Sequence, residues 1–434
     1  MQPGDVVDLE VTGIAHGGVF VARREGMVVF VPDAVPGETL RARVTEQKKS
    51  FARAEALEVL DASPHRRPHV WAEADIARDP RRRVGGADLG HIDLVHQRAL
   101  KERVLREAFE RFAGGAARVS VSAAAAEGAE ETPDGTRWRT RIGLHVDADG
   151  RIGPFAARSH EVVEVAGHPL ATEAVERAAL ALRGEKPGRV DLVHPSDGDV
   201  RIVRRPAERP GGGSRGARGG ARGSRGPSRP DAVVQHVAGR PFRVETGGFW
   251  QVHRLAAGML HDAVSGSVRE LLAEGLVAPD GLHLDLYGGV GLLADAVAAA
   301  VGDGTQIISV ESAPQATAHA AENLARLAGA DAVTARVERW LASAVVDADD
   351  DERAAIARGA VVLDPPRAGA GRDVVDRVAD LGPAAVVYVA CDPVALARDA
   401  GLLRARGYAV DAVSGLDLFP NSHHVEAVAV FRRG

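Results

Sequence analysis

The chain has 434 residues, of which 45% are hydrophobic and 26% are charged, and its formal net charge is −6. This length exceeds a single compact core, so we expect two or three domains. The negative charge excludes a uniformly basic protein, so any nucleic-acid contact must come from local basic surfaces. The single cysteine, Cys391, excludes a disulfide scaffold. With neither a signal peptide nor a membrane-spanning apolar run in the sequence, we expect a cytoplasmic protein.

Residues 1–61 alternate short apolar strands with glycine and proline turns. Five such strands closed on themselves form a small barrel of the kind that binds oligonucleotides, so we predict an OB-like barrel here. The turn at 47–51 carries two lysines beside a phenylalanine, which suits contact with phosphates and stacking on a base. A solvated hairpin loop is an equally good interpretation of this turn.

Residues 62–244 are less regular and are predicted to form a central α+β domain. Apolar residues at helical spacing predict an amphipathic helix over Leu94–Phe112. Residues 137–141 alternate arginine with tryptophan on a predicted strand, which indicates either an RNA contact or an exposed arginine-rich face. Residues 206–230 consist almost entirely of Gly, Arg, Ser and Pro, so we predict a disordered and dispensable insertion.

Residues 245–434 alternate apolar strands with alanine-rich helical segments. This alternation predicts an α/β domain with a doubly wound, mainly parallel sheet that has helices on both faces. The predicted strands include one at 333–337, and two closing strands predict an antiparallel hairpin at one edge of the sheet. Ligands of such sheets bind at the carboxyl ends of the strands.

The first strand of this domain ends in a glycine turn, 285–291, which opens a helix. Glycines there let the backbone approach a cofactor closely, and Glu311 ends the second strand where an acidic residue accepts ribose hydroxyls. The G-x-G-x-x-G spacing of dinucleotide binders is missing from this turn. A nucleoside cofactor without a pyrophosphate, such as S-adenosylmethionine, is therefore favoured.

Further chemistry-bearing residues follow the other strands. Asp364 ends the fourth strand before two prolines that hold the chain rigid, Cys391 ends the fifth, and 423–426 open the last. A lone cysteine is usually a small buried hydrophobic residue, but here the ends of successive strands predict one shared crevice. The two histidines at 423–424 do not predict a metal site, because no further ligands stand at suitable spacing.

In order and spacing, five segments of this domain resemble the RNA 5-methyluridine (uracil-C5) methyltransferase family: 248–252, 285–291, 363–369, 390–399 and 419–426. Residues 1–61 resemble the TRAM domain, and the middle of the chain resembles that family's central RNA-binding domain. The resemblance implies a Rossmann-like class I methyltransferase domain, a tRNA or 23S rRNA substrate and a monomeric protein. It also implies that S-adenosylmethionine is held by four residues: Gln251, Tyr287, Glu311 and Asp364.

The resemblance further makes Cys391 the nucleophile and Glu426 the general base. C5 of uracil is a poor nucleophile, so addition of a thiolate to C6 would activate it, and a base would then remove the C5 proton. The target base must leave its stack to reach such a pocket. We therefore expect the site to favour the Cys391 thiolate, with Arg367 or the bound sulfonium as the source of positive charge.

The sequence departs from the family's pattern at three places. Gly288 stands where relatives often carry cysteine, and Asp392 stands where asparagine usually follows the nucleophile. A carboxylate there opposes ionisation of the thiol, so we expect Asp392 to point away or to be paired. Residues 82–92 resemble the iron–sulfur region of relatives but contain no cysteine, so we predict no cluster.

Two other functions fit parts of the sequence. A non-catalytic RNA-binding protein that kept the fold is the main alternative, and a methyl-transfer assay on bulk RNA would separate the two. A small-molecule oxidoreductase on a similar sheet is disfavoured by the barrel and by the missing pyrophosphate fingerprint.

Overall fold

The computed structural model describes residues 1–115, 117–207 and 231–434. Its first part is a closed five-stranded barrel in the order β1-β2-β3-β5-β4, as predicted. Alternate residues along each strand point inward, and Leu9, Phe20 and Leu40 lie fully buried in the barrel core. The strands are β1 (Val6–Ile14), β2 (Phe20–Arg24), β3 (Met27–Val31), β4 (Thr39–Gln47) and β5 (Phe51–Asp61).

The middle of the chain contains the predicted helix, α1 (Leu94–Phe112), whose first turn is capped by the Asp93 side chain. A four-stranded antiparallel sheet in the order β10-β9-β7-β8 and a separate β11–β12 ribbon follow. Two 3-10 turns, Ala72–Ala74 and Pro80–Arg82, precede α1. The later elements are β6 (Arg118–Ala123), β7 (Arg141–Val146), β8 (Ile152–Gly153), α2 (Glu173–Leu180), β9 (Gly188–Val193), β10 (Arg201–Pro206), β11 (Ala232–Val237) and β12 (Arg240–Glu245).

The insertion predicted over 206–230 falls mostly outside the described residues. Its first residue, Pro206, is the last residue of β10 and pairs with Gly188, so the predicted start of the insertion is wrong. Pairing with β9 holds the chain extended through Pro206.

The last part is the predicted doubly wound domain, an eight-stranded sheet in the order β15-β14-β13-β16-β17-β19-β18-β6. Strands β13 to β17 run parallel, and β19 runs antiparallel between β17 and β18. Apolar cores cover both faces. The elements are α3 (Ala256–Ala273), β13 (Leu282–Leu286), α4 (Leu292–Val301), β14 (Gln306–Glu311), α5 (Pro314–Leu324), β15 (Ala330–Thr334), α6 (Val337–Asp347), α7 (Asp350–Ala357), β16 (Ala360–Leu363), α8 (Gly371–Leu381), β17 (Ala385–Ala390), α9 (Pro393–Ala405), β18 (Tyr408–Asp417) and β19 (Glu426–Arg433).

Two details of the sheet differ from the sequence-based expectation. The closing hairpin β18–β19 is present but does not form the edge, because β6 from the middle of the chain adds parallel to β18. The strand predicted at 333–337 is β15 instead, which ends at Thr334 opposite Glu311 of β14. Val337 already belongs to α6, whose apolar side packs on the sheet. An apolar residue at the start of this helix therefore extended the predicted strand beyond its observed end.

Within the described residues, no helix is long and apolar enough to cross a membrane.

Candidate active site

Four of the predicted site residues, together with Asp285, lie along one edge of the large sheet. In the order β14-β13-β16-β17-β19, five neighbouring strands end or begin at this edge with an acidic or thiol side chain. Because β19 runs antiparallel, its first residue meets the carboxyl ends of its parallel neighbours. The strand order reverses between β13 and β16, which is the switch point where open α/β sheets bind ligands. The five residues are Glu311, Asp285, Asp364, Cys391 and Glu426.

The glycine turn after β13 is shaped for close approach of a cofactor. Tyr287 and Gly289 have positive φ angles of 67° and 56°. A side chain at Gly288 would overlap the Ser309 hydroxyl and the Asp285 carboxylate, so this position requires glycine as long as these two neighbours stay in place. The Glu311 carboxylate accepts a hydrogen bond from the Gly289 amide at 3.2 Å. The loop and the end of β14 therefore form one unit.

Two carboxyl groups flank the switch point. Burial raises the pKa of Asp285 to about 6, although a hydrogen bond from the Ser309 hydroxyl at 2.9 Å opposes this shift. Burial and the nearby Asp285 raise the pKa of Asp364 to about 7. A backbone hydrogen bond from Ala294 also acts to lower the pKa of Asp285. Two carboxyl groups with pKa values raised by burial suit a cationic ligand such as a sulfonium, because a nearby positive charge favours their ionised forms.

The remaining predicted cofactor residues are placed less tightly. Tyr287 is half-buried at the start of the glycine turn, and burial raises the pKa of its hydroxyl. Gln251 is half-buried in the segment after β12. Of its two chain neighbours, Trp250 is buried, and the carbonyl of Val252 accepts a backbone hydrogen bond from Thr140. Gln251 makes no side-chain hydrogen bond to any described residue, so its role in cofactor binding stays a prediction.

Cys391 and Glu426 stand beside each other on neighbouring strands. Ala390 of β17 pairs with Ala427 of β19, so the same antiparallel register carried one residue further sets Cys391 opposite Glu426. Side chains opposed in this way lie on the same face with Cβ atoms about 5 Å apart. The Glu426 side chain is buried, and burial raises its pKa well above the ordinary value, as does Asp364.

In the ligand-free protein Arg367 alone does not make the site favour the Cys391 thiolate, and the contribution expected of the bound sulfonium stays a prediction. Burial raises the pKa of the half-buried Cys391 thiol to about 11, and the charges of Glu426 and Asp364 act in the same direction. Arg367 lowers this pKa but does not outweigh them. The sequence indicated the nearby cation but not the two carboxylates beside the sulfur, which raise the pKa of the thiol.

Asp392 is paired, as the sequence-based argument required. One carboxylate oxygen accepts bonds from the Val394 and Ala395 amides and caps α9. The other lies 2.9 Å from Nε2 of His16, which belongs to the loop between β1 and β2 of the barrel. Nothing in the sequence pointed to His16, because 376 residues separate the partners.

A cleft of about 160 Å³ opens above the thiol between the barrel and the catalytic sheet. Its walls include barrel residues 14–18, Lys101 of α1, Arg367, residues 391–393 and the two histidines at 423–424. Lys101 is buried, lies 2.5 Å from Asp417 and donates to the Phe419 carbonyl, so it fixes the loop that leads to β19. The volume is below that of pockets for drug-sized ligands, about 300 Å³ and more, and suits a single inserted ring.

The two predicted RNA-contact segments have different outcomes. Trp138 is only 3% exposed and packs against His253 and Phe419, so residues 137–141 form neither an RNA-stacking strand nor an exposed face. This prediction is wrong because the ring fills a core between the middle and last parts of the chain. The turn at 47–51 is the exposed tip of the β4–β5 hairpin, and its RNA contact stays a prediction.

Among the described residues, no group of three or more His, Cys, Asp and Glu side chains is arranged to hold a metal ion. In the 82–92 region, buried Arg83 pairs with Asp33 of the barrel at 2.8 Å. Its guanidinium also donates to the carbonyls of Ala56 and Ile76. This segment therefore fastens the barrel to the rest of the chain, and the absence of a cluster remains a prediction.

Two family models match the chain. A TRAM domain covers residues 1–57, and the tRNA (Uracil-5-)-methyltransferase family covers residues 280–433. An uncharacterized RNA methyltransferase of Streptomyces coelicolor is 37% identical over 98% of this chain and 93% of its own length. The 23S rRNA (uracil(1939)-C(5))-methyltransferase RlmD of Shewanella piezotolerans is 30% identical over 100% of this chain and 97% of its own length.

The fold has a full-length counterpart among solved structures. The tRNA (uracil-54, C5)-methyltransferase of Pyrococcus abyssi, solved in complex with S-adenosyl-L-homocysteine, superposes with a TM-score of 0.66. The match covers 98% of this chain and 100% of that one at 20% identity, which shows a shared fold. On the evidence of sequence and architecture together, the chain belongs to the family of S-adenosylmethionine-dependent RNA (uracil-5) methyltransferases.

Proposed function

We propose that this enzyme methylates C5 of a specific uridine in tRNA or 23S rRNA through a covalent bond between Cys391 and C6 of the base. The observation that carries the proposal is the β17–β19 register, which pairs Ala390 with Ala427 and, carried one residue further, sets Cys391 opposite Glu426, together with the cleft that Cys391 lines. A thiol and a carboxyl group on the same face supply the nucleophile and the base that the reaction needs.

The residues act in a defined order. The Cys391 thiol releases its proton, the thiolate adds to C6 of the flipped uracil, and the electron pair of the C5–C6 double bond makes C5 enolate-like. S-adenosylmethionine, when bound at Tyr287, Glu311, Asp364 and Gln251, supplies the methyl group for C5 and a positive sulfonium. Glu426 then removes the C5 proton, the double bond re-forms and the sulfur leaves as a thiolate.

The ionisation state of the free site supports an ordered reaction. With its pKa at about 11, the Cys391 thiol is protonated at neutral pH and does not attack prematurely. Arg367 lowers the pKa of both Cys391 and Glu426, so it stabilises the charged form of each. A cation bound beside Asp364 would act in the same sense.

The covalent step is tested with RNA that contains 5-fluorouridine. Fluorine at C5 cannot leave as a proton does, so the adduct should accumulate as an enzyme–RNA band that survives denaturing electrophoresis. The same RNA with Cys391→Ala enzyme is the control and should give no band. Absence of the band with the unaltered enzyme, under conditions where ordinary RNA is methylated, would contradict the covalent step.

The RNA substrate is tested separately. We propose tRNA or 23S rRNA, with the enzyme acting as a cytoplasmic monomer, and residues 62–244 together with the barrel as the RNA-binding part. Nucleoside mass mapping of both RNAs from cells with and without the gene should show one uridine that loses its methyl group. Unchanged maps for both RNAs would contradict this proposal. Family membership argues against the oxidoreductase and non-catalytic alternatives.

A further inference from the structure

The loop between β1 and β2 of the barrel reaches the residue next to the nucleophile. His16 Nε2 lies 2.9 Å from the Asp392 carboxylate. At the other end of this loop, Gly18 packs so closely on His423 that a side chain there would overlap the imidazole. His423 is itself paired with Asp88. The barrel loop is therefore docked on both sides of the cleft above Cys391.

The negative charge of Asp392, next to the nucleophile, is paired with His16 of the barrel loop. Asp392 follows Cys391 directly in the chain, and a carboxylate without a partner at that position would oppose ionisation of a neighbouring thiol. One of its oxygens caps α9 through the Val394 and Ala395 amides, at 3.0 and 2.8 Å. The other is directed at His16, so a protonated imidazole there makes the pair neutral overall.

The charges around His16 favour the protonated ring. The hydrogen bond that His16 donates to Asp392 raises the pKa of His16, while partial burial and Arg398 on α9 lower this pKa by less. Burial works to raise the pKa of Asp392, but the bond to His16 and the α9 amides lower it. Further cations that line the same cleft are Lys101 and Arg367, and the imidazoles of His423 and His424 also face it.

We propose that His16 is a positioning residue for the nucleophile: it holds Asp392 and neutralises its charge, which lets Cys391 reach the thiolate form. The inference rests on the proposed function of Cys391. It makes the barrel part of the catalytic centre as well as an RNA-binding module. The ion pair of His16 and Asp392 then takes the place of the neutral asparagine that usually follows the cysteine in the family's pattern.

The test is a double-mutant cycle read by alkylation of the thiol. Because Cys391 is the only cysteine in the chain, the mass gained with iodoacetamide reports on it alone. The full-length wild-type, His16→Ala, Asp392→Asn and doubly substituted proteins are compared at pH 7. Removing His16 also opens access to the sulfur, and this effect is the same whether aspartate or asparagine stands at position 392. It therefore cancels when the ratio of alkylation rates with and without His16 is compared between the two backgrounds.

We expect His16→Ala to slow alkylation about three- to tenfold more with Asp392 present than with asparagine in its place, which corresponds to 0.5–1 pKa unit at the thiol. His16→Gln keeps a hydrogen-bond donor without the charge and should behave like His16→Ala. A ratio near one, or full rescue by glutamine, would overturn the proposal. Alkylation needs no methyl transfer, so failure of the proposed function would appear separately, as absent methylation with the ratio intact.

Discussion

Replacing Asp285 with asparagine should stabilise the protein at neutral and alkaline pH. Asp285 is fully buried near the end of β13, where the Ser309 hydroxyl donates a hydrogen bond to its carboxylate. Burial raises its pKa from 3.8 to about 6, which means that the fold resists the charged form. Asparagine has nearly the same shape, keeps an oxygen for the Ser309 hydroxyl and carries no charge.

The size of the effect follows from the two pKa values of Asp285. The unfolded chain loses this proton near pH 3.8 and the folded chain near pH 6, so between these values the unfolded state binds fewer protons and stability falls as pH rises. Above pH 6 the penalty is complete, at most about 3 kcal/mol for a shift of about two units. We expect Asp285→Asn to gain about 1–3 kcal/mol at pH 8 and little at pH 4.

Urea unfolding at pH 4.5 and pH 8, followed by tryptophan fluorescence, measures this difference. Ser309→Ala is the matched control, because it removes the hydroxyl that stabilises the Asp285 carboxylate and should destabilise the protein more at pH 8 than at pH 4.5. An equal change for Asp285→Asn at both pH values would refute the reasoning. The asparagine variant should also bind S-adenosylmethionine more weakly, since it removes a negative charge from the cofactor edge.

Three further outcomes test the site. Cys391→Ala should abolish methyl transfer and leave RNA binding in a gel-shift assay intact; retained turnover would exclude Cys391 as the nucleophile. Glu426→Gln should trap methylated RNA on the enzyme as a band in denaturing gels, and normal turnover without that band would remove Glu426 from the mechanism. The pKa of Asp364 is about 7, so S-adenosylmethionine should bind more tightly at pH 8 than at pH 6 in calorimetry. Asp364→Asn should flatten this dependence, and an unchanged slope would contradict the role of Asp364.

The parts of the fold set by local pattern could be predicted from the sequence. Alternation of strands and helices specified the doubly wound domain, and helical spacing located α1 at its observed bounds, Leu94–Phe112. The site edge was predictable for the same reason, because side chains at the carboxyl ends of neighbouring parallel strands must meet. The location of Asp364 and Cys391 at this edge could be predicted from one fact, that each directly follows an apolar strand.

What the sequence could not predict depends on contacts between distant segments. The pairing of β6 with β18 joins residues about 300 positions apart, and the periodicity of Arg118–Ala123 fits either an edge strand or a separate sheet. Trp138 lies between arginines and resembles a surface residue, yet packing against Phe419 buries it. The high pKa of Cys391 also escaped prediction, since it arises from the joint burial of side chains on three strands.

The cleft above Cys391 gives the barrel a structural reason to be present in this enzyme. One wall comes from the loop that carries His16, and Lys101 of α1 anchors the segment before Glu426. Without these parts, the carboxylate of Asp392 would keep only the α9 amides as partners and Asp417 would lose its closest cation. A buried carboxylate without a partner lowers the stability of the folded state, so Asp417 needs Lys101 of α1. The same lysine holds the loop between β18 and β19 in place. The barrel and α1 therefore contribute contacts to the cleft above Cys391 as well as to their own cores.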